Sequence, residues 1–292
     1  MKKLKDMRIV ITGVGLKPVA EIFPDIVTGE PSHTPVFDTK GTEYKANIGT
    51  ATAYECAKEG ATVHLISRTD DNLKIVKNWI IKDIPDAKVE YTPVDLSEAK
   101  EIEGWVNGLP KDKLLYWVQS VGIGSGHVKI DRPYTKIEDT SIEQLNAELL
   151  PVTSTLSMFK TLLPRFRRQP ESRIAIVSSM SAVRAFPGGV PHCAGKGALS
   201  MLANAAKLEL NKDRIYVTEV RPGMVDTGMY DGDIGKIGPN IYGSSYCYQY
   251  KGKLPMMPAG AVGEEICNAL KSRAHIISVN MVAKGQAPHE MS

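Results

Sequence analysis

Three residues near the middle of the chain, Ser179, His192 and Lys196, have side chains suited to acid–base chemistry. Four positions separate His192 from Lys196, and thirteen separate Ser179 from His192. Histidine can act as an acid or a base near neutral pH, and a serine hydroxyl can bind the oxygen that gains or loses the proton. Cys193 adjoins His192, but neighbours on a helix lie on different faces, so we interpret Cys193 as a packing residue.

The segments that must position these side chains alternate between strands and helices. Short runs rich in β-branched residues predict the strands, and helical periodicity predicts the segments between them. The predicted strands are residues 7–12, 61–67, 89–94, 114–118, 173–178, 215–221 and 276–282; the predicted helices are residues 50–59, 71–81, 97–107 (with Ser97 as N-cap), 149–168, 192–211 and 261–272. This alternation predicts an α/β fold with a doubly wound parallel sheet, which binds ligands at the carboxyl ends of its strands.

Composition is that of an ordinary globular protein, with 292 residues, 42% hydrophobic and 24% charged. We expect one domain over residues 1–292. The formal net charge of +3, spread over interspersed acidic and basic residues, argues against a nucleic-acid partner. The apolar runs are too short to cross a membrane, and the short apolar run after the basic start favours a first strand over a signal peptide.

The cysteines and histidines indicate the compartment and argue against a metal site. The four cysteines are scattered without C-x-x-C pairing, which predicts reduced thiols and a cytoplasmic protein. The histidines outside the candidate site have no spacing typical of metal ligands, so we expect no metal.

Two segments, residues 14–45 and 223–258, interrupt the alternation and are expected to be long loops at the binding edge. The first is rich in proline and glycine; the second contains Tyr242, Tyr246, Tyr248 and Tyr250. Long loops inside a compact domain are usually functional or disordered. The tyrosines predict either an aromatic wall facing the substrate or the packing surface of a lid or subunit contact. The first segment is expected to cover a cofactor, extend the substrate pocket or contact another subunit.

A glycine turn after the first strand and a glycine segment before the first helix predict an anion site that is split in the sequence. Thr12-Gly13 ends the first strand, and Asn47-Ile48-Gly49 immediately precedes the first helix. If the residues between them loop out, Gly13 and Gly49 form one strand–turn–helix. A pyrophosphate would then lie at the amino end of the helix, where N–H groups and the dipole favour anions. The alternative is an ordinary turn and an ordinary helix cap.

With these segments, the chain resembles the short-chain dehydrogenase/reductase family along nearly its whole length. The family's T-G-x-x-x-G-x-G is matched by Thr12-Gly13 and, after an insertion, by Asn47-Ile48-Gly49, with Asn47 replacing the middle glycine. The other matching segments are Gly60-Ala61-Thr62-Val63, Asp95-Leu96, the looser Gln119-Ser120-Val121-Gly122, Ser179 with Lys196, and Pro222-Gly223-Met224-Val225-Asp226-Thr227.

The resemblance implies a Rossmann-type fold that binds a nicotinamide dinucleotide. It implies that Asp95 and Leu96 lie beside the adenine, that Lys196 holds the nicotinamide ribose, and that Ser179 orients the substrate. The residues expected at the pyrophosphate are Gly13, Asn47, Ile48 and Gly49; Gly122 joins the cofactor site from the fourth-strand loop, and Pro222, Gly223, Val225 and Thr227 contact the nicotinamide end.

The end of the second strand predicts which dinucleotide is bound. An acidic residue there would bind the ribose 2′-hydroxyl and repel a 2′-phosphate. The chain has Ser67 followed by Arg68, and a guanidinium binds phosphate through two hydrogen bonds. Together with the resemblance, this predicts NADP(H). The alternative is that Arg68 is a solvated surface residue.

The chain departs from the family at the residues that move the proton. His192 takes the place of the family's tyrosine, and the family's asparagine position falls near Leu150-Pro151, whose side chains cannot support a proton relay. Three hypotheses follow. His192 is the acid or base of a redox enzyme; or it orients the substrate while a lid tyrosine or water supplies the proton; or the site has lost hydride transfer.

We therefore predict an NADP(H)-dependent oxidoreductase that reduces a small-molecule carbonyl or oxidises the corresponding alcohol. Ser179 and His192 would hold the oxygen. The competing prediction is a nucleotide-binding protein of the same fold that acts as a binding subunit or in a non-redox step. We also expect a homodimer or homotetramer.

Overall fold

The structure is a computed structural model, and it describes residues 4–111, 113–122, 137–186, 188–229, 231 and 255–286. The predicted tyrosine cluster and most of residues 223–258 lie outside these ranges. The strands are β1 (Met7–Thr12), β2 (Leu16–Pro18), β3 (Pro35–Phe37), β4 (Glu43–Ala46), β5 (Thr62–Ser67), β6 (Lys88–Pro93), β7 (Leu114–Gln119), β8 (Ser172–Val177), β9 (Ile215–Pro222), β10 (Val225–Asp226), β11 (Met257–Pro258) and β12 (Ser278–Met281). The helices are α1 (Ile48–Lys58), α2 (Asp70–Asp83), α3 (Ala99–Gly108), α4 (Ile142–Phe166), α5 (Val190–Leu210) and α6 (Ala259–Lys271).

The main sheet of the described residues has seven strands in the order β12-β9-β8-β7-β1-β5-β6. Each neighbouring pair is parallel, which confirms the predicted doubly wound sheet. Strand order reverses between β1 and β7, because β5 and β6 follow on one side and β8, β9 and β12 on the other. In this architecture the crevice at the reversal is the ligand site.

Both faces of the sheet are covered by helices. Side chains of β1 alternate between the two cores: Ile9 and Ile11 pack with α1, α2 and α6, whereas Val10 packs with α3, α4 and α5. Burial on both faces explains why β1 and β8 are apolar along almost their whole length.

Residues 14–45 are not the irregular loop that their prolines and glycines suggested. They contain β2, β3 and most of β4, which form a small antiparallel sheet in the order β2-β4-β3. Leu16 pairs with Ala46, so the two ends of the segment lie side by side. Phe23 and Val36 are fully buried beneath it. We call this segment the insertion. Its strands are short, which is why the sequence pattern gave no clear period.

The helix starts differ from the predicted ones by one or two residues, except for α4, which begins seven residues earlier. Helix α4 begins at Ile142 and not at 149, because Ser141 and Gln144 form a capping box at the start of its first turn. Helix α3 has Glu98, and not Ser97, at its N-cap. The prediction for Ser97 was wrong because its hydroxyl instead donates to Asp95 Oδ1 at 2.7 Å. Within the described residues, none of the helices combines the length and apolar character needed to cross a membrane.

Candidate active site

The two halves of the split glycine motif meet beside the strand-order reversal, as predicted. Gly13 has φ +84°, and a Cβ there would lie 2.4 Å from the Ser120 carbonyl oxygen. A Cβ on Gly49 would lie 2.9 Å from the Gly13 carbonyl oxygen. Gly13 is therefore required by its backbone conformation and by this contact, and Gly49 is required by the close approach of α1 to the turn. The resulting strand–turn–helix presents the amino end of α1 at the carboxyl edge of the sheet.

Asn47 holds this turn together. Its Nδ2 donates to the Gly13 carbonyl at 2.7 Å, and its Oδ1 accepts from the backbone N–H of Thr50 at 2.9 Å and of Gly15 at 3.2 Å. The side chain thus caps α1 and bridges both ends of the insertion. The backbone N–H groups at Ile48 and Gly49 also belong to the first turn, where helical geometry provides no partner within the helix. A phosphate could bind there.

The end of β5 carries no carboxylate. Ser67 Oγ is buried and has no hydrogen-bond partner among the described residues, and Arg68 follows it, half-buried. A buried hydroxyl without a partner is costly, so a ligand hydroxyl or phosphate oxygen would fit beside it. This region can hold the ribose end of a dinucleotide.

Asp95 and Leu96 form the turn after β6. Asp95 Oδ1 accepts from the N–H and the hydroxyl of Ser97, and Leu96 is buried. Asp95 therefore shapes the turn by local hydrogen bonds. Gly122 lies in the loop after β7, where an added Cβ would meet no atom of the described residues within 4 Å.

The Pro222–Thr227 segment leaves the carboxyl end of β9. The Gly223 N–H donates to the Met281 carbonyl at 2.7 Å, and a Cβ on Gly223 would lie 2.3 Å from Gln286 Oε1. Val225 is buried, and the Thr227 N–H donates to its carbonyl at 3.0 Å. The four residues that the sequence assigned to the nicotinamide end thus lie in one tightly held turn.

His192 and Lys196 lie one turn apart near the start of α5. His192 is the third residue of the helix, and its Nδ1 is 3.1 Å from Glu148 Oε1 on α4. The side chain of Glu148 is 5% exposed and that of His192 is 13% exposed. The carboxylate therefore meets the imidazole away from bulk water.

Lys196 is buried beside the same carboxylate. Burial lowers the pKa of the Lys196 ammonium below its ordinary value, and the negative charge of Glu148 opposes that shift. Burial raises the pKa of the neighbouring Cys193 thiol, which fits a packing residue and not a nucleophile.

Ser179 lies at the end of β8, where it caps a short turn that packs against α5. Its Oγ accepts from the Ser181 N–H at 3.1 Å and is 3.0 Å from the Ser181 hydroxyl. The structure therefore places Ser179 next to the helix that carries His192 and Lys196, with its hydroxyl in a local hydrogen-bond network.

Glu148 is the site residue that the sequence did not predict. The predicted helix began at residue 149, which left Glu148 in a loop, and the resemblance placed the family's asparagine position near Leu150-Pro151. Pro151 is a buried residue inside α4. A usable signal did exist: positions 148, 151, 155 and 158 follow helical spacing, and all four are buried, so the carboxylate lies on the buried face.

No group of three or more His, Cys, Asp or Glu side chains in the described parts of the chain is arranged to hold a metal ion.

The family assignment follows from comparison with known proteins. The model of the family described as short chain dehydrogenase matches residues 43–234, about two thirds of the chain. The chain belongs to the short-chain dehydrogenase family. The match begins near the end of the insertion, so most of the insertion lies outside it.

Curated relatives share about a quarter of their residues with this short-chain dehydrogenase. An uncharacterized oxidoreductase of Staphylococcus haemolyticus is 27% identical over 208 residues, which cover 70% of this chain and 86% of the relative. The NADP-dependent 3-hydroxy acid dehydrogenase of Schizosaccharomyces pombe is 27% identical over 241 residues, covering 80% and 86%.

Solved structures show the same fold at lower identity. An alcohol dehydrogenase from the archaeon Thermococcus sibiricus, complexed with 5-hydroxy-NADP, is 20% identical with a TM-score of 0.68 over 97% of this chain and 100% of that one. An NADPH-bound short chain oxidoreductase from Pseudomonas aeruginosa, described as containing an atypical catalytic center, is 15% identical with a TM-score of 0.71 over 99% and 100%.

Proposed function

We propose that this short-chain dehydrogenase is an NADP(H)-dependent oxidoreductase that reduces a small-molecule carbonyl or oxidises the corresponding alcohol, with His192 in place of the family's tyrosine. The observation that carries the proposal is the His192–Glu148 pair beside buried Lys196. An imidazole that is hydrogen-bonded to a carboxylate can exchange a proton. Burying the Lys196 ammonium beside it costs free energy, which is typical of a functional residue and not of a purely structural one.

The cofactor assignment rests on the glycine turn and on the end of β5. The joined turn at Gly13 and Gly49 supplies a helix amino terminus for a pyrophosphate. Arg68 stands where an acidic residue would repel a 2′-phosphate, and Ser67 Oγ lacks a partner among the described residues. The S. pombe relative is named as NADP-dependent, which supports the same choice.

Each member of the site has a separate task in the proposed reaction. A bound nicotinamide supplies or accepts the hydride at the substrate carbon. Ser179 donates a hydrogen bond to the substrate oxygen, His192 gives that oxygen a proton during reduction, and Lys196 binds the ribose hydroxyls. Asp95 and Leu96 border the adenine, while Gly122 and the Pro222–Thr227 turn enclose the other end.

We further propose that the protein is a homo-oligomer that associates through the outer faces of α4 and α5. Leu156 is 54% exposed, Met201 66% and Leu208 85%. Met201 and Leu208 are seven positions apart on α5, so they lie on one face, and association would bury these exposed apolar side chains. Sedimentation equilibrium at micromolar concentration checks this; a monomer contradicts it. A cytoplasmic location remains a prediction based on reduced thiols.

The decisive experiment measures NADPH oxidation against a panel of ketones, aldehydes and imines. We expect turnover with at least one compound and a loss of about 10²–10⁴-fold in His192→Ala, because general acid catalysis typically supplies that factor. NADPH affinity should stay nearly unchanged. Cys193→Ala is the matched control, since it alters the adjacent residue of α5 without removing a proton donor.

Three outcomes separate the hypotheses for His192. A substrate whose rate is untouched by His192→Ala rules out the acid role and points to water or a lid tyrosine. NADPH binding without turnover of any compound in the panel contradicts the redox proposal and favours a binding role. Absence of NADPH binding contradicts the cofactor assignment itself.

A further inference from the structure

Glu148 stands out because it is the one charged side chain among the buried residues of α4. Its Oε1 is 3.1 Å from His192 Nδ1, and its Oε2 is buried with no hydrogen-bond partner among the described residues. A carboxylate in its ionised form only accepts hydrogen bonds, so an ionised Glu148 would require Nδ1 to be the donor. This fixes the tautomer in which Nε2 is available for proton exchange whenever the imidazole is neutral.

The close approach of α4 to α5 makes this contact possible. A Cβ on Gly195 would lie 2.5 Å from the Glu148 carbonyl oxygen, closer than real side chains allow. The glycine therefore lets the two helices meet where the carboxylate and the imidazole are placed. Burying a carboxylate is costly unless it is paired, so its position next to His192 and Lys196 calls for a functional explanation.

We propose that Glu148 is a positioning residue for His192, which orients the imidazole through Nδ1 and provides the counter-charge for its protonated form. The inference rests on the proposed function, because it assigns the proton-transfer step to His192. It adds a residue on another helix to the catalytic arrangement.

The proposed reduction transfers one hydride and one proton to the carbonyl group. In reduction, a bound dinucleotide would supply the hydride to the carbonyl carbon, and the electron pair of the C=O π bond would move to the oxygen. The proton on His192 Nε2 passes to that oxygen, which gives the alcohol. The imidazole is left neutral with its proton still on Nδ1, donated to Glu148. Oxidation of the alcohol reverses each transfer.

The charges around the pair decide how Glu148 acts. On α5, Lys196 and Cys193 both interact electrostatically with Glu148. The turn after β8 contributes the uncharged Ser179 to this side of α5. Glu148 therefore supplies the negative charge that offsets the Lys196 ammonium next to His192. Without it, a protonated His192 would face an uncompensated cation.

Strand β9, which also packs against α5, directs its charges further along the helix. Glu219 Oε2 is 2.6 Å from the Arg221 guanidinium and 3.4 Å from Lys207 Nζ, and its Oε1 accepts from Ser178 at 2.6 Å. These groups neutralise one another.

The first test follows His192 by NMR and needs no turnover. The imidazole carbon and nitrogen shifts report its protonation midpoint and its neutral tautomer. We expect the Nδ1–H tautomer in the wild type and a midpoint lower by about 1–2 pH units in Glu148→Gln, because the amide keeps the shape and removes the charge. Glu143→Gln is the matched control, since it removes the same charge from an exposed position of the same helix, and should leave the midpoint unchanged.

The second test follows the rate against pH with a substrate identified by the NADPH assay. If the midpoint falls by about one unit, turnover above both midpoints should fall about tenfold in Glu148→Gln, with little loss below them. Structural damage alone would lower the rate equally at every pH. Glu148→Asp, which keeps the charge, should recover part of the high-pH rate.

The outcomes distinguish this inference from the proposed function. An unshifted midpoint in Glu148→Gln, or a neutral Nε2–H tautomer in the wild type, overturns the role of Glu148 whether or not turnover occurs. A shifted midpoint in a protein that oxidises no NADPH supports the pair and contradicts only the redox function.

Discussion

At the scale of single residues, the site combines positions that the sequence identified with one that it could not. The spacing of Ser179, His192 and Lys196 predicted a shared site, and the structure places them on one helix and the adjoining turn. Glu148 was missed because its role depends on a helix start and on packing between two helices, and neither can be read from one segment. Asn47 was correctly expected in the glycine turn, but its bridging hydrogen bonds required the folded insertion.

The proposed preference for NADP(H) rests on one side chain, Arg68. Replacing Arg68 with Ala should weaken NADPH more than NADH by roughly 1–3 kcal/mol, because the 2′-phosphate loses a charge-assisted pair. Isothermal titration calorimetry with both dinucleotides measures the difference. Lys82→Ala, which removes a positive charge from the far end of α2, should change neither affinity. Equal affinity of the wild type for NADH and NADPH would refute the assignment.

At the scale of elements, strands were easier to predict than helix starts. The strands of the main sheet are apolar runs between turns, and their predicted bounds differ from the structure by at most two residues. Helix α4 begins seven residues before its predicted start. Its first turn is largely exposed and lacks the apolar periodicity of the rest, and the signal for its start is the capping box of Ser141 with Gln144. The insertion was harder still, because strands of three or four residues carry too little periodicity.

The approach of α4 to α5 yields a prediction about one glycine. Gly195→Ala should lower the free energy of unfolding by about 1–3 kcal/mol, because its Cβ forces the α4 backbone away. The same displacement should move Glu148 from His192 and lower turnover. Urea unfolding and the NADPH assay measure the two effects.

Gly104→Ala serves as the matched control for this change. Gly104 lies inside α3, and a Cβ there would meet no atom within 4 Å in the part of the chain that the structure describes. The substitution should raise stability by up to about 1 kcal/mol through helix propensity alone. Equal effects of the two substitutions on unfolding and turnover would contradict the steric argument.

At the scale of the whole molecule, the insertion links the two ends of the binding edge. Its first and last residues, Val14 and Lys45, lie next to the two halves of the glycine turn, and Lys45 also contacts the segment after β9. Lys45 Nζ is 2.6 Å from Asp226 Oδ1 and 2.8 Å from Asp231 Oδ1, and the side chain is fully buried. The sequence predicted a long loop at the binding edge that covers a cofactor, extends the substrate pocket or contacts another subunit. It could not predict this cluster, because Lys45 lies more than 180 positions before both aspartates.

Removing the buried cation tests whether this link holds the molecule together. Lys45→Met should lower the free energy of unfolding by about 3–5 kcal/mol, because Asp226 and Asp231 would remain buried without their partner. NADPH affinity should also fall, since Asp226 directly precedes Thr227 in the turn proposed to hold the nicotinamide end. Lys74→Met is the control: Lys74 pairs with Asp70 on the exposed face of α2, where solvent screens the interaction, so stability should hardly change.

Adding Asp226→Asn and Asp231→Asn to Lys45→Met should restore much of the lost stability, because the loss arises from uncompensated charge and not from lost packing. If Lys45→Met unfolds at the same urea concentration as the wild type, the insertion is not anchored by this cluster, and its order must come from the burial of Phe23 and Val36 instead.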